Sequence, residues 1–163
     1  MNRVLILTVF AMFLISCSEK IVLLSNTPDF WSKKSPSGVG MNWSDAKQYC
    51  ANLNEDGYSN WRLPTISELR TLIKNCPATE NGGKCKVTDG CLSYDNCKND
   101  ACDGCSYSSA VRYSKLGDTS FFWSSSESYG YADHAIRVDF NNGQEIGSYK
   151  SFTNCYVRCL RKP

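Results

Sequence analysis

Asn60-Trp61-Arg62-Leu63-Pro64-Thr65-Ile66-Ser67-Glu68-Leu69 is the stretch whose reading organises the rest of the chain. Thr65 and Glu68 have the spacing of a capping box, in which the threonine hydroxyl and the glutamate carboxylate each satisfy an orphan backbone N–H at a helix start. Ile66, Leu69, Leu72 and Ile73 then supply one apolar stripe at helical spacing, and Asn75-Cys76-Pro77 marks its end because proline cannot continue a helix. Upstream, apolar residues at Ala46, Tyr49, Cys50 and Leu53 follow the same i, i+3, i+4, i+7 rule. They predict a helix with Ser44 as N-cap and Gly57 as stop.

Downstream the period changes. Phe121-Phe122-Trp123-Ser124 reads as one strand, and Ile136, Val138 and Phe140 alternate with Arg137 and Asp139 in a second. Asn141-Asn142-Gly143 is a hairpin turn, since Asn and Gly tolerate positive φ. Gln144 to Tyr149 returns antiparallel, and Cys155 to Leu160 is a last strand. Two helices followed by a small antiparallel sheet predict an α+β domain.

Between the two halves, residues 76–110 hold six cysteines among Gly, Asp, Asn and Ser, with few aliphatic side chains. Such a segment cannot hold itself by hydrophobic burial, so it reads as a crosslinked surface loop inserted in the domain. Beyond Cys17 the chain has nine cysteines, at 50, 76, 85, 91, 97, 102, 105, 155 and 159. The odd number leaves at least one free or joined to another chain.

The front end points outside the cytoplasm, where disulfides persist. Arg3 precedes an apolar run from Val4 to Ile15, and Leu14-Ile15-Ser16-Cys17 follows, so residues 1–16 are expected to be a signal peptide. The run is too short for a membrane span of about 20 residues. Leu14 to Cys17, the four residues at the cut, resemble a bacterial lipobox. That resemblance implies lipidation of Cys17, residues 17–29 as a tether, a domain over 30–163, and a place in the cell envelope. In a Gram-negative cell Ser18 would direct it to the outer membrane.

The full chain carries 18 basic and 16 acidic residues. Near-neutrality without a basic stripe argues against nucleic acid as a partner. His134 is the only histidine, which excludes a two-histidine metal site and makes any Ser-His-Asp triad depend on it. Asp133-His134 beside Ser124 to Ser126 is the one such arrangement, and the expectation is that the protein is not an enzyme. Asp89, Asp95, Asn99, Asp100 and Asp103, with Asn96, are hard oxygen donors of the kind Ca²⁺ takes. The Asp-x-Asp-x-Asp-Gly ladder is missing, which leaves a solvated polar loop as the other reading. Cys91, Cys97, Cys102 and Cys105 suit a zinc cage by type, but disulfides are the expectation in an exported chain.

Trp43, Ala46, Tyr49-Cys50 and Leu53, then Asn60 to Thr65, Phe122-Trp123-Ser124-Ser125, Val138, Phe140 and Gly143, and Val157-Arg158-Cys159-Leu160-Arg161 resemble in order the DUF1566 family. It is also called the Lcl C-terminal domain and is close to the Fibrobacter major paralogous domain. The resemblance covers about residues 31–161. It implies a C-type-lectin-like fold in which Cys50 pairs with Cys159, a crosslink worth about 4 to 5 kcal/mol in the chain-entropy account. A known member is a bacterial adhesin whose terminal domain binds sulfated glycosaminoglycans. The Glu-Pro-Asn and Trp-Asn-Asp motifs of calcium-dependent sugar-binding lectins are absent here.

Trp61 and Trp123 are expected in the core, and Tyr129 and Tyr131, in a Ser/Gly-rich segment, on the surface. With Asn141, Asn142 and Glu145 these two tyrosines form the predicted contact surface. The functional expectation is a lipid-anchored, adhesin-like module binding glycan or protein. A self-assembling structural envelope protein is the alternative, and a hydrolase using His134 the third reading.

Overall fold

The computed structural model describes residues 30–35 and 39–161. The expected signal peptide, Cys17 and the tether lie outside these residues. Among the described residues, no helix is long and apolar enough to cross a membrane.

Helix α1 spans Trp43–Asn52 and is capped by Asn42, whose side chain accepts from the Asp45 N–H, not by Ser44. Starting two residues earlier makes Trp43 the first helical residue. Its indole is buried and donates to the Ser124 carbonyl at 2.8 Å. The helix ends well before Gly57. That glycine (φ 81°) and Asp56 (φ 52°) instead form a tight turn between Glu55 and Tyr58, whose backbones bond in both directions at 3.0 Å.

After strand β1 (Trp61–Arg62), helix α2 spans only Ile66–Arg70, with both halves of the Thr65–Glu68 capping box formed. Glu68 also takes two hydrogen bonds from Arg62, at 2.5 and 2.6 Å. Leu72 and Ile73 are buried as the stripe requires, but they lie past the helix. There the chain pairs with residues 113–115: Lys115 N–H bonds to the Leu72 carbonyl, Lys74 N–H to that of Tyr113. This neighbouring chain ends the helix before Pro77 is reached.

Four strands, β2 (Phe121–Glu127), β3 (His134–Asp139), β4 (Gln144–Tyr149) and β5 (Cys155–Tyr156), form one sheet in the order β4-β3-β2-β5. The two hairpin pairings are antiparallel, but β5 lies parallel to β2. The expected last strand is thus broken. Its second part, β6 (Leu160–Arg161), pairs antiparallel with β1 in a separate ribbon. The break falls at Arg158, whose guanidinium leaves the strand line to bond Asp118 twice, at 2.8 and 3.0 Å, and the Ser32 carbonyl at 2.7 Å.

Two apolar clusters lie around this α+β frame, one built on Phe122, Val138, Phe140 and α2, the other on Trp43, Trp61, Trp123 and α1. Cys50 and Cys159 form a disulfide inside the second, joining α1 to the chain's far end. Three more bonds, Cys76–Cys105, Cys85–Cys102 and Cys91–Cys97, crosslink the inserted segment. All four cysteines considered for zinc are therefore in disulfides. The insertion also holds short helix α3 (Tyr94–Cys97) and a 3₁₀ turn at Asp100–Asp103. Gly143 (φ 77°) shows how closely it docks: a Cβ there would lie 3.2 Å from that of Cys76.

Candidate binding face

The predicted contact residues fall in three places. Tyr131 sits at the turn end of β3, in a loop closed by hydrogen bonds from Ser128 N–H to the His134 carbonyl and from His134 N–H to the Tyr131 carbonyl. Tyr129, in the same loop, is 76% exposed and bonds through its backbone N–H to the Leu92 carbonyl, holding the cysteine-rich segment against this turn. Asn141 and Asn142 lie at the other end of β3 and β4, roughly 17 Å away at the usual rise per strand residue. There Asn142 accepts from Gln144 N–H and donates to the Asp103 carbonyl, so it shapes the hairpin.

Glu145 is not on the surface at all. It is 1% exposed, with Arg70 Nε 2.9 Å from its Oε1. That Nε–H is directed at the Thr79 carbonyl, and the Arg70 terminal nitrogens bond the carbonyls of Val87 and Glu80. Neither Glu145 oxygen accepts an aligned hydrogen bond. Burial pushes its carboxyl up to about 8, against the opposing pull of Arg70. The strand pattern misled here because an inward-facing glutamate at a strand start looks, in sequence, like an outward-facing one.

The oxygen donors considered for Ca²⁺ are separately engaged. Asp89 caps back onto Ser67, Asp95 faces the Tyr131 hydroxyl at 3.4 Å, Asn99 donates to the Lys84 carbonyl, and Asp103 pairs with Lys98 at 2.7 Å. Asp100 is exposed in the 3₁₀ turn. Among the described residues no three His, Cys, Asp or Glu side chains gather as a metal site. The hydrolase arrangement is likewise occupied: Ser124 Oγ donates to the Ile136 carbonyl, Ser126 Oγ accepts from Ile66 N–H, and His134 Nδ1 meets Asp133 Oδ1 at 2.7 Å.

What does come together around Tyr131 is a set of rings. Tyr94 lies 5.8 Å from it at 76°, and His134 lies 5.5 Å from it at 67°. Tyr149, the cross-strand neighbour of His134, stacks 4.2 Å from the imidazole. Tyr94, Tyr131 and Tyr149 are all exposed. Tyr94, Ser128, Tyr131, His134 and Gly147 line a pocket of about 160 Å³. Asp95 and Asp133 stand at this face, and His134's hydrogen bond holds the Asp133 carboxyl below its ordinary value.

Sequence reasoning missed Tyr94, His134, Gly147 and Tyr149 as members of the face. The His134–Tyr149 pair follows from the hairpin register set by Asn141-Asn142-Gly143 and could have been counted off. Tyr94 could not, because its place depends on the Cys91–Cys97 bond that braces α3.

A larger cleft of about 550 Å³ lies between Trp31, Tyr58, Trp61 and Arg161. Arg161 there stacks on Phe30 and Tyr58, at 4.9 and 3.7 Å from the ring centres.

The family model for the Lcl C-terminal domain matches residues 22–161 of this chain. No curated protein matches it, and no solved structure does.

Proposed function

From the premise that this chain belongs to the Lcl C-terminal domain family, we propose that it is a binding module of the cell envelope, adhesin-like, which engages a surface glycan through its ring-lined face. The observation that carries this reading is the contiguous cluster of Tyr94, Tyr131, His134 and Tyr149 around an open pocket. Exposed aromatic rings present large apolar area with polar tips, which is the surface chemistry of recognition.

The remaining parts of the proposal rest on the sequence. A signal peptide over 1–16 and a lipidated Cys17 would anchor the module to a membrane, the outer one in a Gram-negative cell. A helix joined by Cys50–Cys159 to the residue just before the last strand, ahead of a small sheet, supports a C-type-lectin-like arrangement. Among the described residues the acidic side chains do not converge on one point, which supports a contact made by the rings themselves. Covalent self-assembly loses its support, because Cys155 is the one free cysteine among the described residues and is fully buried.

The test is a glycan array probed with the disulfide-bonded chain, with calcium and again with chelator. Selective binding that persists in chelator and disappears in Tyr131→Ala is expected. Silence under both conditions, or binding untouched by Tyr131→Ala, would overturn the assignment of this face.

A further inference from the structure

The shape and charge of the ring-lined pocket go beyond a general contact surface. A flat sugar-stacking platform needs one open ring face, whereas here Tyr94 and Tyr131 meet at 76° and Tyr131 and His134 at 67°. Rings set so steeply make walls. Gly147 contributes to the lining with no side chain: a Cβ there would lie 3.5 Å from Tyr94 Cδ2 and 4.0 Å from Ser128 Oγ. The pocket's volume of about 160 Å³ falls below the ~300 Å³ at which ordinary small-molecule pockets begin. It has room for one compact group.

The charge around it is negative. Asp95 and Asp133 flank the rings, each held to a ring partner, and Glu127 lies just beyond. The charge of Asp95 is the main cause that raises the Tyr131 phenol above its ordinary value. Of the nearest cations, Lys150 holds Glu127 and the Ala132 carbonyl, and Lys98 holds Asp103 while its ammonium lies 5.8 Å from the centre of the Tyr94 ring, so one wall of the pocket already carries a cation contact. Aromatic walls with an acidic rim attract a poorly hydrated cation through the ring quadrupoles, which is how methylated ammonium groups are recognised.

We propose that the pocket formed by Tyr94, Tyr131, His134 and Gly147 takes a quaternary or fully methylated ammonium group, of the choline type, presented by the ligand. The proposal rests on the reading of this face as a binding surface and names the chemical group it selects.

The chain's single histidine gives the experiment a unique reporter inside the pocket. The full chain, purified in an uncharged detergent, is titrated with choline chloride while the His134 ring resonances are followed by NMR, with sodium chloride matching ionic strength. A saturable shift is expected, and the uncharged isostere 3,3-dimethylbutan-1-ol should bind at least about tenfold more weakly. Tyr131→Ala should weaken choline by about tenfold. Gly147→Leu should abolish the shift by filling the pocket, with an unchanged thermal melt showing that the variant is folded.

Equal binding of the uncharged isostere would overturn the proposal, as would an unperturbed His134 at saturating choline. Glycan binding on the array that choline fails to compete would leave the module reading standing and sink this one. Choline binding with a silent array would uphold the proposal and remove glycan as the source of the group. Sedimentation with phosphatidylcholine but not phosphatidylglycerol vesicles would support the proposal with a bilayer as the source of the group; competition by choline on the array would support it with a glycan as the source.

Discussion

Glu68 and Glu145 each face an arginine, yet they respond to pH in opposite directions. Burial opposes the charge on Glu68, but hydrogen bonds from Arg62 and from the Thr65 backbone outweigh it, so its carboxyl is held below the ordinary value. Its contribution to stability is present above the unfolded-state pKa and is lost as pH falls through the folded one. Glu145 has no aligned donor, and burial lifts it from 4.5 to about 8. The native state therefore keeps a proton that the unfolded chain gives up near 4.5. Stability is full below that value and falls as pH rises toward 8, on the order of 3 kcal/mol between pH 5 and pH 8. Thermal melts at pH 5 and pH 8 should show a clear loss for the native sequence and a much flatter profile for Glu145→Gln. An equal slope in both would exclude Glu145 as the group responsible. In sequence, Glu145 was indistinguishable from a surface residue because its partner, Arg70, lies on another element and is itself one turn past a capping box.

At the scale of elements, what was legible was local and what was not depended on a distant neighbour. The capping box at Thr65 formed as read, because its bonds run between residues three apart. The length of that helix was misjudged, because the segment at 113–115 competes for the Leu72 carbonyl. The last strand was read as one piece, because nothing within 155–160 tells that Arg158 binds Asp118 forty residues away. The tyrosine face was half legible for the same reason: Tyr129 and Tyr131 announced themselves by their Ser/Gly-rich surroundings, whereas Tyr94 is brought in by a disulfide. Since α2 has only five residues, its cap should carry unusual weight. Thr65→Ala is expected to cost about 1 kcal/mol in denaturant unfolding. A change within error would mean that the Ile66 and Leu69 contacts alone fix the helix.

Over the whole molecule, eight cysteines among the described residues are paired and one is sealed in. Cys155 lies in the tryptophan cluster, its sulfur 3.4 Å from an Arg137 nitrogen, and burial pushes its thiol up to about 11. A thiol that is both covered and protonated is inert toward alkylation. Residues 18–163 should take up no iodoacetamide when native, one equivalent when denatured without reductant, and should run as a monomer on a non-reducing gel. A labelled native protein or a reducible dimer would contradict this burial.

The Cys50–Cys159 bond also determines how the domain would bear a pull. Force applied between residues 30 and 161 meets a covalent shortcut, because the stretch between the two cysteines, 109 positions apart, is taken out of the extensible path. Only some twenty residues can pay out, on the order of 70 Å, where an uncrosslinked chain of this span would reach several hundred. The sheet and the tyrosine pocket stay inside the locked loop however hard the two ends are drawn apart.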